Sequence, residues 1–160
     1  RVINPTNLGV MTRSAAGMGA GALVIDDASC DPLYRRAHRV AMGASITMPW
    51  ARVADLVGAM GSLRADGFTT VAMAVRPDAV PLHLMEPPTG RVALIVGNEF
   101  TGLSDAVIAA SDIVASSTWR RCRRRATTRW RGDGGARTVG SAAAVAWWET
   151  PRHRRVGPEM

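Results

Sequence analysis

Short apolar runs alternate along this chain with helix-forming segments, and that alternation restricts the fold more than any other feature. "ALVIDD" (Ala22–Asp27), "SITMPW" (Ser45–Trp50), "TTVAMAV" (Thr69–Val75) and the run inside "RVALIVGNE" (Arg91–Glu99) read as strands, and "DIV" (Asp112–Val114) begins a further one. Several are apolar at consecutive positions. A strand apolar on both sides must be covered on both faces, as in a parallel sheet. Helices are expected between them. One runs from Leu8 to Met18, with Asn7 as its N-cap and Gly19 to Gly21 ending it. A second opens on the Asp31-Pro32 cap signal and continues to Met42. Ala51–Gly67 reads as an amphipathic helix, Leu103–Ser111 as a short one, and Val139–Glu149 as the last. The expected fold is therefore α/β, a parallel sheet flanked by helices. Ligands in such sheets bind beyond the carboxyl ends of the strands. The loops after Asp27, Val75 and Val96 become the candidate site.

The 160 residues suit one domain, and at 47% hydrophobic they can bury a core. No apolar run reaches the roughly 18 residues of a membrane span. The opening "RVINPTNLGV" shows neither an initiator Met nor a secretory pattern and reads as a cut into a longer chain. Two cysteines, Cys30 and Cys122, make neither a disulfide framework nor a metal quartet. His38, His83 and His153 show no ligand spacing, so no metal site is expected. A cytoplasmic location is expected.

The net charge of +7 is local. Trp119 to Arg137 holds eight arginines and one acid, while the other residues hold twelve of each sign. A basic domain usually implies a nucleic-acid partner. Here that inference rests on one stretch, "STWRRCRRRATTRWRGDGGAR". There is no lysine, and Ala and Gly abound, as codons from GC-rich DNA would give.

Few segments carry chemistry. "GMGAGAL" tempts one toward a dinucleotide fingerprint, but its glycines follow a helix and precede a strand, the reverse of the required order. "GLSDA" lacks the second glycine of a nucleophile elbow. "NLGVMTR" places Asn7 and Arg13 on neighbouring turns at the start of one helix. Asn caps backbone donors, and the planar guanidinium suits phosphate. "LIVGNEFTGLS" runs a buried strand into Gly97, sets a carboxylate, Glu99, at its ligand end, and closes the loop at Gly102. Each taken alone is also compatible with a capped helix or a plain strand-to-helix turn.

Together these segments resemble the SpoU-type (TrmH-like) RNA 2'-O-ribose methyltransferases of the SPOUT class. "NLGVMTR" is similar to that family's N-x-G-x-x-x-R motif, and "LIVGNEFTGLS" to its strand followed by G-x-E-x-x-G-L. "DPLYRRAHRVAMGA" is similar to a run between them. The resemblance covers Arg1 to Val114 in order and spacing. It implies a SPOUT-type fold with a C-terminal trefoil knot, an exception to unknotted chains. It further implies S-adenosylmethionine as cofactor, an RNA substrate (rRNA more than tRNA) and a homodimer. By the same resemblance Arg13 would position phosphate or help activate the ribose hydroxyl, and Asn7 would shape the same site. Gly97, with Asn98, would meet the cofactor, and Glu99 would orient the loop and the catalytic groups. Ala74 and Val75 would border the cofactor, and Arg35 and Arg36 would join Arg13 on RNA.

The family's third motif, roughly I-P-M-x-G-x-x-x-S-L-N-V-x-x-A, should follow "SDIV" at once. The Arg/Trp stretch stands there instead, so the knot region from Ala115 to Thr138 is atypical. Three readings stay open. The stretch is a frame-altered window, since codons chosen to fit Arg121 onward, read one frame over, resemble the missing motif. It is a basic arm, with arginines on RNA phosphates and Trp119 and Trp130 stacking on bases. Or it is an exposed loop without a role. The expected organisation is a catalytic domain over residues 1–150, truncated at its N-terminus, and a tail over 151–160. The rival functions are a non-catalytic RNA-binding protein using the stretch, and a methyltransferase inactivated by the altered motif.

Overall fold

The structure is a computed structural model that describes residues 1–98 and 100–117, and the backbone of 144–149. Its elements, in order, are α1 (Pro5–Gly17), β1 (Ala22–Asp26), α2 (Arg35–Ala41), α3 (Ala44–Thr47), β2 (Trp50–Val53), α4 (Leu56–Ala65), β3 (Phe68–Met73), β4 (Val80–Pro81), β5 (Arg91–Val96), α5 (Asp105–Ala109), β6 (Ile113–Ser116) and β7 (Ala144–Glu149). The strands form one sheet in the order β2-β1-β7-β5-β3-β6-β4. β1 runs parallel to β2, and β3 runs parallel to both β5 and β6, with β4 parallel to β6. Among the described residues, no helix is long and apolar enough to cross a membrane.

Both faces of the sheet are covered, as the continuous apolar runs require. Leu23 and Ile25 of β1 pack with Leu8 and Ala15 of α1 and with Met48. Val24 turns to the opposite side, where Ala72, Ala93 and Ile95 meet Leu56 and Met60 of α4 and Val107 of α5. β3 and β5 each send alternate residues to the two faces, because successive Cβ atoms point oppositely. Val71 and Val92 thus join Ala115 in a separate cluster. The middle of this central pair is buried, with Val71, Ala72, Ala93 and Ile95 at 1% exposure or less.

Several boundaries differ from the sequence expectation. α1 starts earlier, because Asn4, not Asn7, is its N-cap: the Asn4 side chain accepts from Thr6 N–H at 2.9 Å, and Pro5 opens the helix. α2 starts later than Asp31, since the Asp31 carboxylate accepts from Leu33 N–H and holds a turn first. The expected strand Ser45–Trp50 is instead a turn of helix, α3, followed by β2. The expected helix from Ala51 begins only at Leu56, where Asp55 caps it by accepting from Gly58 N–H.

The largest correction is at the end. The helix expected over Val139–Glu149 is a strand over Ala144–Glu149, antiparallel to both β1 and β5. β1 and β5 each present an inner edge of backbone donors and acceptors, and such groups have to be paired. Residues 144–149 satisfy both edges at once, and Val145, Trp147 and Trp148 are strand-favouring types. Residues 139–143, the tail over 151–160 and nearly all of the Arg/Trp stretch lie outside the described residues.

Asp112 ties the start of β6 to β3 and α4. Its carboxylate accepts from Thr70 N–H at 2.8 Å and Thr70 Oγ1 at 2.6 Å, with Arg64 Nη1 at 3.3 Å. Partial desolvation pushes this carboxyl upward, but the bonds from Thr70 and the Arg64 charge outweigh it and hold the pKa below the ordinary value. A carboxyl depressed in the folded state contributes stability above its unfolded pKa of about 4 and loses that contribution as pH falls through the lower folded value. Asp112→Ala should cost about 2 kcal/mol in urea denaturation at neutral pH. Asp112→Asn should flatten the loss of stability between about pH 5 and pH 2; an unchanged acid slope would dismiss the tie.

Candidate functional site

Parallel pairing sends the carboxyl ends of β1, β3, β5 and β6 to one edge of the sheet, and the candidate residues collect there. α1 begins at this edge. Asn98 Nδ2, just past β5, donates to the Arg1 carbonyl at 3.1 Å. Val2 N–H donates to Ser29 Oγ at 2.7 Å, and Cys30 N–H, just past β1, donates to the Val2 carbonyl at 3.0 Å. The first turn of α1 therefore sits over the ends of β1 and β5. Asn7 lies half-buried at its third position, and Arg13 is exposed six residues, or about 9 Å, further along the axis. Among the described residues Arg13 has no ion pair, so its guanidinium is available.

α2 follows β1 and so starts at the same edge. Its first two residues, Arg35 and Arg36, are exposed, as is Arg39. α2 packs closely on α1, and Gly9 makes that possible. A Cβ built on Gly9 would lie 2.4 Å from the Ala37 carbonyl oxygen and 2.9 Å from Val40 Cβ. The glycine of "NLGVMTR" is thus a helix-crossing residue. It brings the helix carrying Asn7 and Arg13 against the helix carrying Arg35 and Arg36.

The loop after β5 is built on itself. Asn98 Oδ1 accepts from Phe100 N–H at 2.9 Å, Thr101 N–H at 2.7 Å and Thr101 Oγ1 at 3.0 Å, and Gly102 N–H donates to the Asn98 carbonyl at 3.1 Å. A Cβ on Gly97 would meet the Gly102 carbonyl carbon at 2.3 Å and its oxygen at 2.4 Å. The fold therefore gives Gly97 a reason of its own, the close return of the loop, and Asn98 a structural one. Glu99 lies outside the described residues.

On the far side of this loop, a cavity of about 340 Å³ opens between the ends of β3 and β6, lined by Val75, Arg76, Pro77, Ala79, Pro81 and the serines 116 and 117. Its size falls within the range of small-molecule sites, about 300 to 1,000 Å³. Of the residues expected around a cofactor, Val75 lines it. Ala74 sits behind, its N–H donating to the Ala115 carbonyl at 2.9 Å. Gly97 and Asn98 are not among its walls. Arg76, which the motifs do not single out, ties the loop after β3 to α5 through Asp105 at 3.4 Å and also pairs with Asp78 at 3.2 Å. Burial pushes the Cys30 thiol up, which disfavours a nucleophilic thiolate there.

The arrangement has two halves divided by residues 97–102. One is a cavity with mixed walls, apolar at Val75, Pro77, Ala79 and Pro81 and polar at Arg76 and the serines 116 and 117. The other is a pair of crossed helices bearing exposed guanidinium groups. Such a site can hold a compact donor on one side and a phosphate-bearing acceptor on the other.

Residues 1–117 match the model of the SpoU rRNA Methylase family. A protein of Mycobacterium tuberculosis described as an uncharacterized tRNA/rRNA methyltransferase is 36% identical over 155 residues, covering 95% of this chain and 50% of the relative. The 23S rRNA (guanosine(2553)-2'-O)-methyltransferase RlmP of Bacillus subtilis is 31% identical over 112 residues, 70% of this chain and 44% of the relative. The chain spans about half the length of the curated relatives it matches. Among solved structures, an AdoMet-bound rRNA methyltransferase from Sinorhizobium meliloti superposes with a TM-score of 0.67 at 25% identity, over 85% of this chain and 47% of that one. The SpoU methyltransferase AviRb from Streptomyces viridochromogenes, in complex with AdoMet, gives 0.64 at 26% identity, over 73% and 47%.

The two glycines offer a direct check on this geometry. Gly9→Ala and Gly97→Ala should each cost about 1–3 kcal/mol in denaturant unfolding, because backbone atoms stand where the methyl must go. Gly17→Ala, with nothing within 4 Å, serves as the control and should be neutral or stabilising. Equal effects at all three positions would refute the crossing and the loop return as the reasons for these glycines.

Proposed function

Because the chain belongs to the SpoU rRNA methylase family, we propose that it serves S-adenosylmethionine-dependent 2'-O-methylation of ribose in RNA, with rRNA the preferred class over tRNA. The observation that carries this reading is the two-sided carboxyl edge. The cavity at Val75, Ala79 and Pro81 lies on one side of the 97–102 loop, and α1 and α2 with their arginines lie on the other. The cavity fits the cofactor by chemistry. Val75, Pro77, Ala79 and Pro81 offer apolar surface for an adenine ring, and the two serine hydroxyls offer partners for a ribose.

When bound, S-adenosylmethionine supplies an electrophilic methyl group for in-line displacement. Alignment of the ribose oxygen with that methyl accounts for much of the acceleration. The residues of the acceptor half would provide it. Arg35 and Arg36 hold phosphates of the RNA backbone as permanent cations. Arg13 stabilises the alkoxide that develops as the 2'-hydroxyl loses its proton. Asn7 shapes the first turn of α1 beside them. Glu99, at the loop between the two halves, orients that loop, with Gly97 and Asn98 holding its base. Metal has no part in this scheme.

The reading also takes in the coarser family expectations. The catalytic domain extends over residues 1–150 with a tail over 151–160, the fold is of the SPOUT type with a C-terminal trefoil knot whose region Ala115–Thr138 is atypical, and the active unit is a cytoplasmic homodimer. A second reading follows from the atypical sequence between Ala115 and Thr138, which replaces the family's third motif. In that reading the chain binds RNA but has lost methyl transfer.

Incubating the chain with ribosomal RNA and labelled cofactor, then digesting the RNA to nucleosides, tests both. 2'-O-methylated nucleosides are expected, and RNA binding with no methylated product would favour the second reading. Arg13→Ala should lower kcat by about 100-fold with cofactor affinity retained. Unchanged methylation by that variant would remove Arg13 from the chemistry.

A further inference from the structure

Arg52 is an exposed residue of β2, yet its guanidinium turns to backbone carbonyls. Nη1 donates to the carbonyls of Asp26 at 3.3 Å, Asp27 at 3.0 Å and Ser29 at 2.8 Å, and Nη2 reaches the Cys30 carbonyl at 3.5 Å. β2 pairs with β1 in register Ile25↔Arg52, which sets Arg52 beside the point where β1 ends and the loop begins. Four carbonyls turned toward one point repel one another. A permanent cation with Nη1 among three of these carbonyls and Nη2 toward the fourth offsets that repulsion.

The same loop grips the entry to α1. With its carbonyls turned to Arg52, its opposite groups face the first residues. Ser29 Oγ accepts from Val2 N–H, Cys30 N–H donates to the Val2 carbonyl, and the Ser29 hydroxyl donates to the buried Asp26 carboxylate. The next link joins the Arg1 carbonyl to Asn98 and so to the loop after β5. One connected set of bonds thus runs from Arg52 through residues 26–30 and 1–2 to the loop that divides the candidate site.

We infer that Arg52 is a positioning residue for the acceptor half of the site: by holding the four carbonyls of residues 26–30, it fixes where α1, with Asn7 and Arg13, stands relative to the loop at Gly97–Gly102. Its part in methyl transfer rests on the function proposed above; its hold on the loop does not. The cavity between β3 and β6 is outside this set of bonds, so cofactor binding is independent of Arg52.

Amide hydrogen exchange and steady-state kinetics on Arg52→Gln and Arg52→Lys test the inference. In Arg52→Gln, exchange at the Val2 and Cys30 amides should rise about tenfold or more, while the Val71 and Ile95 amides of the central strands keep wild-type rates. kcat should fall about tenfold or more, with affinity for S-adenosylmethionine within about twofold of wild type. Arg52→Lys should recover part of both losses, since an ammonium reaches some of the carbonyls. Unchanged exchange at Val2 and Cys30 would overturn the inference, as would a uniform rise at all four amides, which marks general destabilisation. If the wild-type chain transfers no methyl group, the proposed function falls, and the exchange pattern still decides whether Arg52 holds the loop.

Discussion

The parallel pairing of β3 with β5 is the constraint on which the rest of this structure depends. Six residues on each strand are in register, from Phe68↔Arg91 to Met73↔Val96, and the pair is buried on both faces. Parallel strands cannot be joined by a tight turn, so each must return across a face of the sheet before the next begins. Residues 74–90, with β4, make that return from β3 to β5, while α4 joins β2 to β3 and α5 joins β5 to β6 and both lie over Ala72, Ala93 and Ile95, so the carboxyl ends reach one edge. The loops at that edge are then free of core packing, and they can be shaped by polar contacts instead. Asn98 bonds its own loop, Arg52 organises the one after β1, and Arg76 ties the one after β3 to α5.

The candidate site is consequently a product of three loop solutions. Between the helices, the decisive device is absence of a side chain. Gly9 lets α1 and α2 approach until the Ala37 carbonyl stands where a methyl would be, and Gly97 does the same for the Gly102 turn. Charge enters last. Arg13, Arg35 and Arg36 project from the surface of these helices, where a permanent cation remains hydrated until an anion arrives. The net charge of the whole chain resides elsewhere, between Trp119 and Arg137.

The strands were legible in the sequence where burial alone dictates them. "ALVID", "TTVAM" and "RVALIV" are apolar because both faces are covered, and the structure places β1, β3 and β5 there. Boundaries were less legible where a local hydrogen bond decides. The Asn4-Pro5 pair was a readable cap signal, with Pro at the first helical position, but Asn7 is equally good in kind and sits in the motif. β7 was not legible at all. An alanine-rich segment has helix propensity, and only the vacant edges of β1 and β5, contributed by residues more than 45 positions away, make it a strand. Arg52 was equally silent, because its partners are main-chain carbonyls that leave no residue pattern. The motif residues, in contrast, were singled out by type and spacing, and the structure gives a helix crossing as the reason for Gly9 and a close loop return as the reason for Gly97. Glu99 lies outside the described residues, so its place beside these two rests on the motif.

The central claim is that the edge formed by β3, β5 and β6 is a cofactor site facing an RNA-binding pair of helices. Calorimetric titration of the chain with S-adenosylmethionine addresses it most directly. The account predicts saturable binding of one molecule per chain, weakened when Ala79, buried in the cavity wall, is enlarged to Leu. Absence of any binding heat at concentrations far above those that saturate ordinary methyltransferases would contradict it.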